Sequence, residues 1–303
     1  MEPKYQREQP ERVISDVAEA RAGRGQVGKV IKMIVFSALL VAAGYYFGLI
    51  CGQVGRAYEM LFSPSRDTLY LVGQLLLAMG VLAVTSGLVA VLFRPFWTCL
   101  VAFVFSSAAV LVAWEIGLGS GIAVLVYLVA SLLYTRGVIA ELNNRVHFSV
   151  RPVAQSQRIL LMALVAVACA SLYLGYAAQI EREGFSLPPS ARDVITRMTM
   201  MPIERRIEEQ AGLTPAEKAK VLAGVRAELE SQWLGPMEET LKRYELYIPI
   251  GVAAMLLMSL TSIVSLLSWL PPLILSVVFL LLTTLRVTRV VTETREVKRL
   301  TLG

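Results

Sequence analysis

Charge is scarce in this sequence. Of 303 residues, 17% are Asp, Glu, Lys or Arg, where soluble chains carry about a quarter. Histidine is almost missing: His147, within NNRVHFS, stands alone. That removes HExxH zinc chemistry and leaves a Ser–His pair only one residue to draw on. No Asp lies inside any long apolar run, so the carboxylate pair of an intramembrane aspartyl protease is not there. The three cysteines, Cys51, Cys99 and Cys169, have no CxxC spacing and lie in or beside apolar segments. They read as small packing residues, with no metal site expected. Basic residues are scattered, with no patch interleaved with aromatics, which argues against nucleic-acid binding despite a net charge of +6.

What is present is hydrophobic length. Hydrophobic residues make up 56% of the chain, with a mean hydropathy of +0.62, and they are gathered into runs. About 20 mostly apolar residues span the roughly 30 Å of bilayer hydrocarbon, and inside it a lone segment can satisfy its backbone only by coiling into a helix. The expected class is an all-α polytopic membrane protein, a bundle of about seven transmembrane helices with six as the alternative. Residues 1–28 form a flexible polar cytoplasmic lead that contains a short helix over 10–21. Residues 29–178 hold five spans, 29–51, 69–93, 96–114, one ending near Tyr134, and 159–178. A polar loop covers 136–158. Residues 179–245 are an extramembrane helical insert, 246–290 a two-span hairpin (or one span plus a re-entrant segment), and 291–303 a basic polar tail.

The hairpin rests on Leu246 to Leu285, forty residues without a charge, interrupted by SWLPP at 268–272. Prolines there break a helix, and Trp269 suits the headgroup level. Sidedness follows from Lys and Arg. Arg21, Arg24, Lys29, Lys32, Arg94, Arg136, Arg145, Arg151 and Arg158 all fall on one face if every span crosses. The positive-inside rule makes that face cytoplasmic and the insert extracytoplasmic. The tail conflicts with this scheme, because seven crossings leave Arg286, Arg289, Arg295, Lys298 and Arg299 outside.

The insert carries ten basic and twelve acidic residues, too mixed for a helix lying flat on lipid. Thr214, Pro215 and Glu217 form a capping box with Pro at the first helical position, and Gly235-Pro236 is the expected stop. Val221, Val225, Leu229 and Trp233 recur every four residues as a narrow docking face for another helix, with Leu222 beside them. Further short helices are expected on either side of Pro202 and from Pro236 onward.

Within the spans, Gly44, Gly48 and Gly52 form a double GxxxG, and Gly73, Gly80 and Gly87 repeat at seven. Both are helix-packing seams. The first could pair helices within the chain or join two copies of it. Gln74, Tyr127 and Tyr173 are the large polar groups expected to bond between helices. Glu115 and Arg94 are assigned to interfacial turns.

Two strings are weaker than they look. Gly23 to Lys29, GRGQVGK, fits GxxxxGK but continues into Val30 and a membrane span rather than into Ser or Thr on a soluble helix. Glu238 to Arg243, EETLKR, resembles the EExxxR string of CAAX-type intramembrane proteases over six residues, without that family's histidine motifs. Salt pairs on a helix surface account for it. The expected function is therefore non-enzymatic: scaffolding, assembly or interaction through the spans and the insert, with no cofactor. The expected partners are the lipid bilayer and a protein or a second copy. The alternative is a transporter or channel component for a neutral solute or lipid. The expected location is a prokaryotic inner membrane.

Overall fold

The computed structural model describes residues 8–57, 66–93, 95–144, 151–185, 189–209 and 214–285. The described residues are helical almost throughout, as hydrocarbon requires of isolated spans. Helix α1 covers Glu8–Arg56, α2 Arg66–Leu92, α3 Phe96–Ala113, α4 Leu118–Asn144 and α5 Arg151–Glu183. Among the described residues, six helices are long and apolar enough to cross a membrane, with stretches Val30–Arg56, Arg66–Leu92, Phe96–Ala113, Leu118–Glu141, Ser156–Glu183 and Ile248–Leu267. The polar lead is thus part of α1 from Glu8 onward, because a helix already nucleated adds residues cheaply even across weak formers such as Gly23, Gly25 and Gly28. The loop expected over 136–158 is mostly helix as well, since α4 and α5 run into it from both ends. His147 and Arg94 lie outside the described residues.

The insert comprises α6 (Pro189–Glu209), α7 (Pro215–Leu229) and α8 (Gly235–Lys242). Gly184 ends α5 with φ of 73°, and its N–H bonds back to Ile180 O at 2.9 Å. The left-handed conformation costs glycine nothing. Two expected breaks fail. Pro202 lies inside α6: its ring deprives the carbonyl of Met198 of a donor, and Met198 is exposed, so water can serve that oxygen. Gly235-Pro236 does not stop α7 either. A π turn over Glu230–Leu234 joins α7 to α8, shifting the hydrogen-bond register where Pro236 has no N–H to give. Turn hydrogen bonds such as Tyr247 N–H to Tyr244 O at 2.8 Å then lead into α9, so the insert is continuous with the last apolar region.

Contacts fix the directions of the helices. Gly44 of α1 faces Ser106 of α3, and Gly48 faces Val110, so α1 and α3 run the same way. Gly55 faces Gly175, and the Ser171 hydroxyl donates to Cys51 O, so α5 runs with them. Gly119 against Leu174 and Gly137 against Ser156 make α4 antiparallel to α5. Val54 shares a small apolar pocket with Thr68, Leu71 and Leu75, so the end of α1 meets the start of α2.

Of the expected two-span hairpin, or one span plus a re-entrant segment, over 246–290, the described part to Leu285 does not fold back on itself. Helices α9 (Ile248–Leu267) and α10 (Leu270–Thr284) are joined by Ser268 (φ −60°, ψ −20°) and Trp269 (φ −77°, ψ −21°), both right-handed helical. Two such residues kink a chain without reversing it. Pro271 and Pro272 occupy the first turn of α10, where N–H groups have no intrahelical partner anyway. Leu256 of α9 lines the pocket with Leu71 and Leu75 near the start of α2, whereas Leu275 of α10 meets Gly87 near its end. The pair therefore runs in α2's own direction, with α9 packed on α5 and α10 on α2, and α9 does not pack on α10.

One contiguous core runs through the bundle, with Leu40, Phe47, Leu75, Leu82, Phe103, Tyr127, Leu164 and Leu275 among its buried members. Many large apolar side chains face outward, including Phe105, Val112, Leu125 and Met255. That is the expected surface of a bundle whose solvent is lipid.

Candidate functional site: an interior polar seam and an exposed insert

Helix α4 sets a polar stripe inside a mostly apolar core. Tyr127, Tyr134 and Glu141 recur at seven residues, which keeps them on nearly one face of a helix, and Ser131 and Thr135 lie beside them. Tyr127 is fully buried. Its hydroxyl pairs with that of Ser106 on α3 at 3.1 Å, while Ser106 Oγ lies 3.3 Å from the Leu40 carbonyl of α1. The Ser131 hydroxyl donates to Tyr127 O and the Thr135 hydroxyl to Ser131 O, each at 2.8 Å. Ser86 of α2 stands beside the Tyr127 hydroxyl without reaching hydrogen-bond geometry.

Farther down the stripe, satisfaction fails. The Tyr134 hydroxyl, both polar atoms of the Gln157 side chain and Glu141 Oε2 are buried without a hydrogen-bond partner. Gln157 is 1% exposed. It follows Ser156, which abuts Gly137 of α4, so it stands within about one helical turn of the level of Tyr134. Leu275 of α10 lies against Gly87 next to the Tyr134 hydroxyl and closes the seam on that side. Toward the insert the seam ends at Phe47, Leu82, Val110 and Val124, all buried and apolar.

Of the residues expected to bond between helices, Tyr127 does so. Gln74 is half-buried. Tyr173 is partly exposed on an apolar groove between α4 and α5, also lined by Ile122, Val126 and Ala170. Gln157, Tyr134 and Ser86 escaped the sequence reading. The heptad from Tyr127 to Glu141 is a signal that was available for α4. Gln157 was hidden because the start of α5 read as loop. Glu115, in the turn between α3 and α4, pairs with Arg56 at 3.4 Å, the side chains being 72% and 75% exposed. Such a pair contributes little stability.

The glycine seams divide. A Cβ on Gly44 would fall 2.5 Å from Ser106 Oγ, and one on Gly48 would fall 2.9 Å from Ala113 Cβ. Gly52 is looser, its nearest neighbour at 3.9 Å. This face is covered by α3 of the same chain, so it is not free to join two copies. On α2, Gly87 is tight against Leu275 at 3.0 Å, but Gly73 and Gly80 have open space beside them and are not packing contacts. The closest approach, Gly55 to Gly175, involves two glycines outside both expected seams.

The expected docking face is also split. Val225 and Leu229 are half-buried, as is Leu222, whereas Val221 is exposed and Trp233 is 74% exposed. The π turn explains the departure of Trp233. Its five-residue spacing carries Leu229 to Leu234, which is buried, and rotates Trp233 outward. Helix α6 faces α7, with Thr196, Met200 and Ile207 buried. Arg192 of α6 meets Glu238 of α8 at 2.5 Å, so Glu238 of the EETLKR string serves a link between helices. The capping box is present: Glu217 Oε2 accepts from Thr214 N–H at 2.9 Å and from its hydroxyl at 2.8 Å. These bonds hold the Glu217 carboxyl below its ordinary pKa. Met198, Met201, Tyr244 and Tyr247 remain exposed on the insert.

Among the described residues no cluster of three His, Cys, Asp or Glu is placed to hold a metal, and Cys51, Cys99 and Cys169 are buried and unbridged. No known protein family, curated protein or solved structure matches this chain.

Proposed function

We propose that this is a non-enzymatic integral membrane protein whose bundle anchors the helical insert as an interaction module for another protein. The observation that carries this reading is Trp233. The π turn places the largest side chain of α7 and its extension in the open, in line with Val221 rather than with the half-buried Leu222, Val225 and Leu229. Exposed Trp and Met are the side chains that anchor protein interfaces. Mixed charge on the same helices favours a protein over an anionic lipid surface.

Sidedness belongs to the same proposal. With α9 and α10 as one kinked crossing, the chain crosses six times, and the tail bearing Arg286, Arg289, Arg295, Lys298 and Arg299 joins the other basic regions. The conflict between the tail and the positive-inside rule then disappears, with both termini cytoplasmic and the insert outside. A prokaryotic inner membrane suits a chain without an N-glycosylation sequon.

A photo-crosslinking amino acid placed at Trp233 in living cells tests the interaction. The reading expects one protein adduct of defined mass that is absent when the same probe is placed at lipid-facing Val112. Lipid adducts alone at Trp233 contradict it. A second reading, a transport component for a small neutral solute, draws on the polar seam of α4. Moving solute through the seam would require the apolar end at Phe47 and Val124 to open.

A further inference from the structure

The lower half of the α4 seam gathers more buried polar atoms than the protein itself satisfies. The Tyr134 hydroxyl and the Gln157 amide are unpartnered, and Glu141 Oε2 joins them on the same α4 face at the end of the span. A buried hydroxyl or amide without a hydrogen bond costs about 1–3 kcal/mol. Native interiors avoid that cost by taking in water where two to four polar groups can hold it. Here the carriers fall within about one or two helical turns of each other along α4 and the start of α5, and the oxygens of Ser131 and Thr135 lie within a turn of Tyr134, each hydroxyl donating to an α4 carbonyl. The stripe leads to the face where α4 ends and α5 begins. It stops in mid-membrane at the Tyr127–Ser106 pair, above which Phe47, Leu82 and Val124 are apolar.

We infer that this seam is a blind hydrated cleft. A file of water enters beside Glu141 near the end of α4, is held by Glu141, Gln157 and Tyr134, and ends beneath Tyr127. The ligand class is a small uncharged molecule that both donates and accepts hydrogen bonds, with water as its first member. Leu275 of α10, against Gly87 and the Tyr134 hydroxyl, separates the file from lipid. The cleft is independent of what the insert contacts, so it can fail without touching that proposal.

Two measurements on the full-length protein in detergent test the inference. The first is the sign of the thermal midpoint shift in Tyr134→Phe and in Gln157→Leu. A hydrated seam loses water-bridged hydrogen bonds, and both variants melt several degrees lower. A dry seam sheds an unsatisfied group, so a rise or no change in Tyr134→Phe overturns the proposal. The second does not depend on how a variant packs around Gln157. Thr135→Cys is exposed to Ag+, an ion of about the size of water, and thiol protection is read peptide by peptide, with buried Cys51 and Cys169 as internal dry references. Protection of Thr135→Cys several-fold faster than of those references supports the cleft. Protection no faster than theirs overturns it.

Discussion

Gly175 of α5 lies against Gly55 of α1 so closely that a methyl group on Gly175 would collide with the Gly55 carbonyl. Neither residue has a side chain to withdraw, so only movement of a backbone could relieve the overlap. With the Ser171 hydroxyl bonded to Cys51 O one turn away, this crossing locks the first and fifth spans together. In lipid, where burying apolar surface brings no gain, such close approach supplies the packing that holds helices side by side.

Gly175→Ala is therefore expected to destabilise the bundle by about 1–3 kcal/mol, the usual cost of overpacking. Gly73→Ala and Gly80→Ala, with open space beside each glycine, should be neutral or stabilising by up to about 1 kcal/mol, since Ala is the better helix former. Thermal unfolding of the three variants in one detergent checks the order.

Those glycines show how far the sequence could be read. Composition and run length were enough for the class, because the hydrocarbon leaves a single chain segment no other fold. Spacing alone did not separate Gly44 and Gly48, which meet α3, from Gly73 and Gly80, which meet no other described helix, since a glycine carries no mark of which neighbour its face will find. The capping box over Thr214 to Glu217 was legible because it is closed by residues three apart. Pro202 and Pro236 misled for the opposite reason: a proline's effect depends on whether water or a register shift can take up the freed carbonyl. The kink at Ser268 and Trp269 likewise needed tertiary contacts to tell it from a reversal. The polar seam was half legible, its heptad on α4 visible and Gln157 concealed in what read as loop.

The capping box makes a pH-dependent prediction. Glu217 has its pKa lowered by bonds from Thr214, so its stabilisation of the first turn of α7 is fully present above the ordinary carboxylate pKa. It is lost as pH falls through the lowered value. Hydrogen-exchange protection factors in that turn should fall across this window. Glu217→Gln, which keeps a capping side chain without the charge, should abolish the pH dependence, and Thr214→Ala should remove the protection at every pH.

The ion pair of Arg192 and Glu238 ties α6 to α8 with its arginine half exposed. A double-mutant cycle with Arg192→Ala and Glu238→Ala should give a coupling of about 0.2–1 kcal/mol that shrinks with added salt. A coupling of several kcal/mol would mean that the pair organises the insert rather than trimming it.

If the π turn sets the outward face of the insert, shortening it should move Trp233. Deletion of Ser231 converts Glu230–Leu234 to ordinary helical spacing and rotates Trp233 toward the half-buried Leu229 row. Its fluorescence should shift to the blue relative to the intact chain, read against the other three tryptophans in a Trp233→Phe control.

The sidedness of the insert and the tail turns on α9 and α10 making one kinked crossing. Single cysteines at Ser231, in the insert, and Thr294, in the tail, test this with a membrane-impermeant maleimide on intact cells. The expected result is immediate labelling of Ser231→Cys from outside, and labelling of Thr294→Cys only after the membrane is opened. Labelling of both from the same side would mean that the chain reverses at Ser268 and Trp269 after all, and the six-crossing arrangement would be wrong.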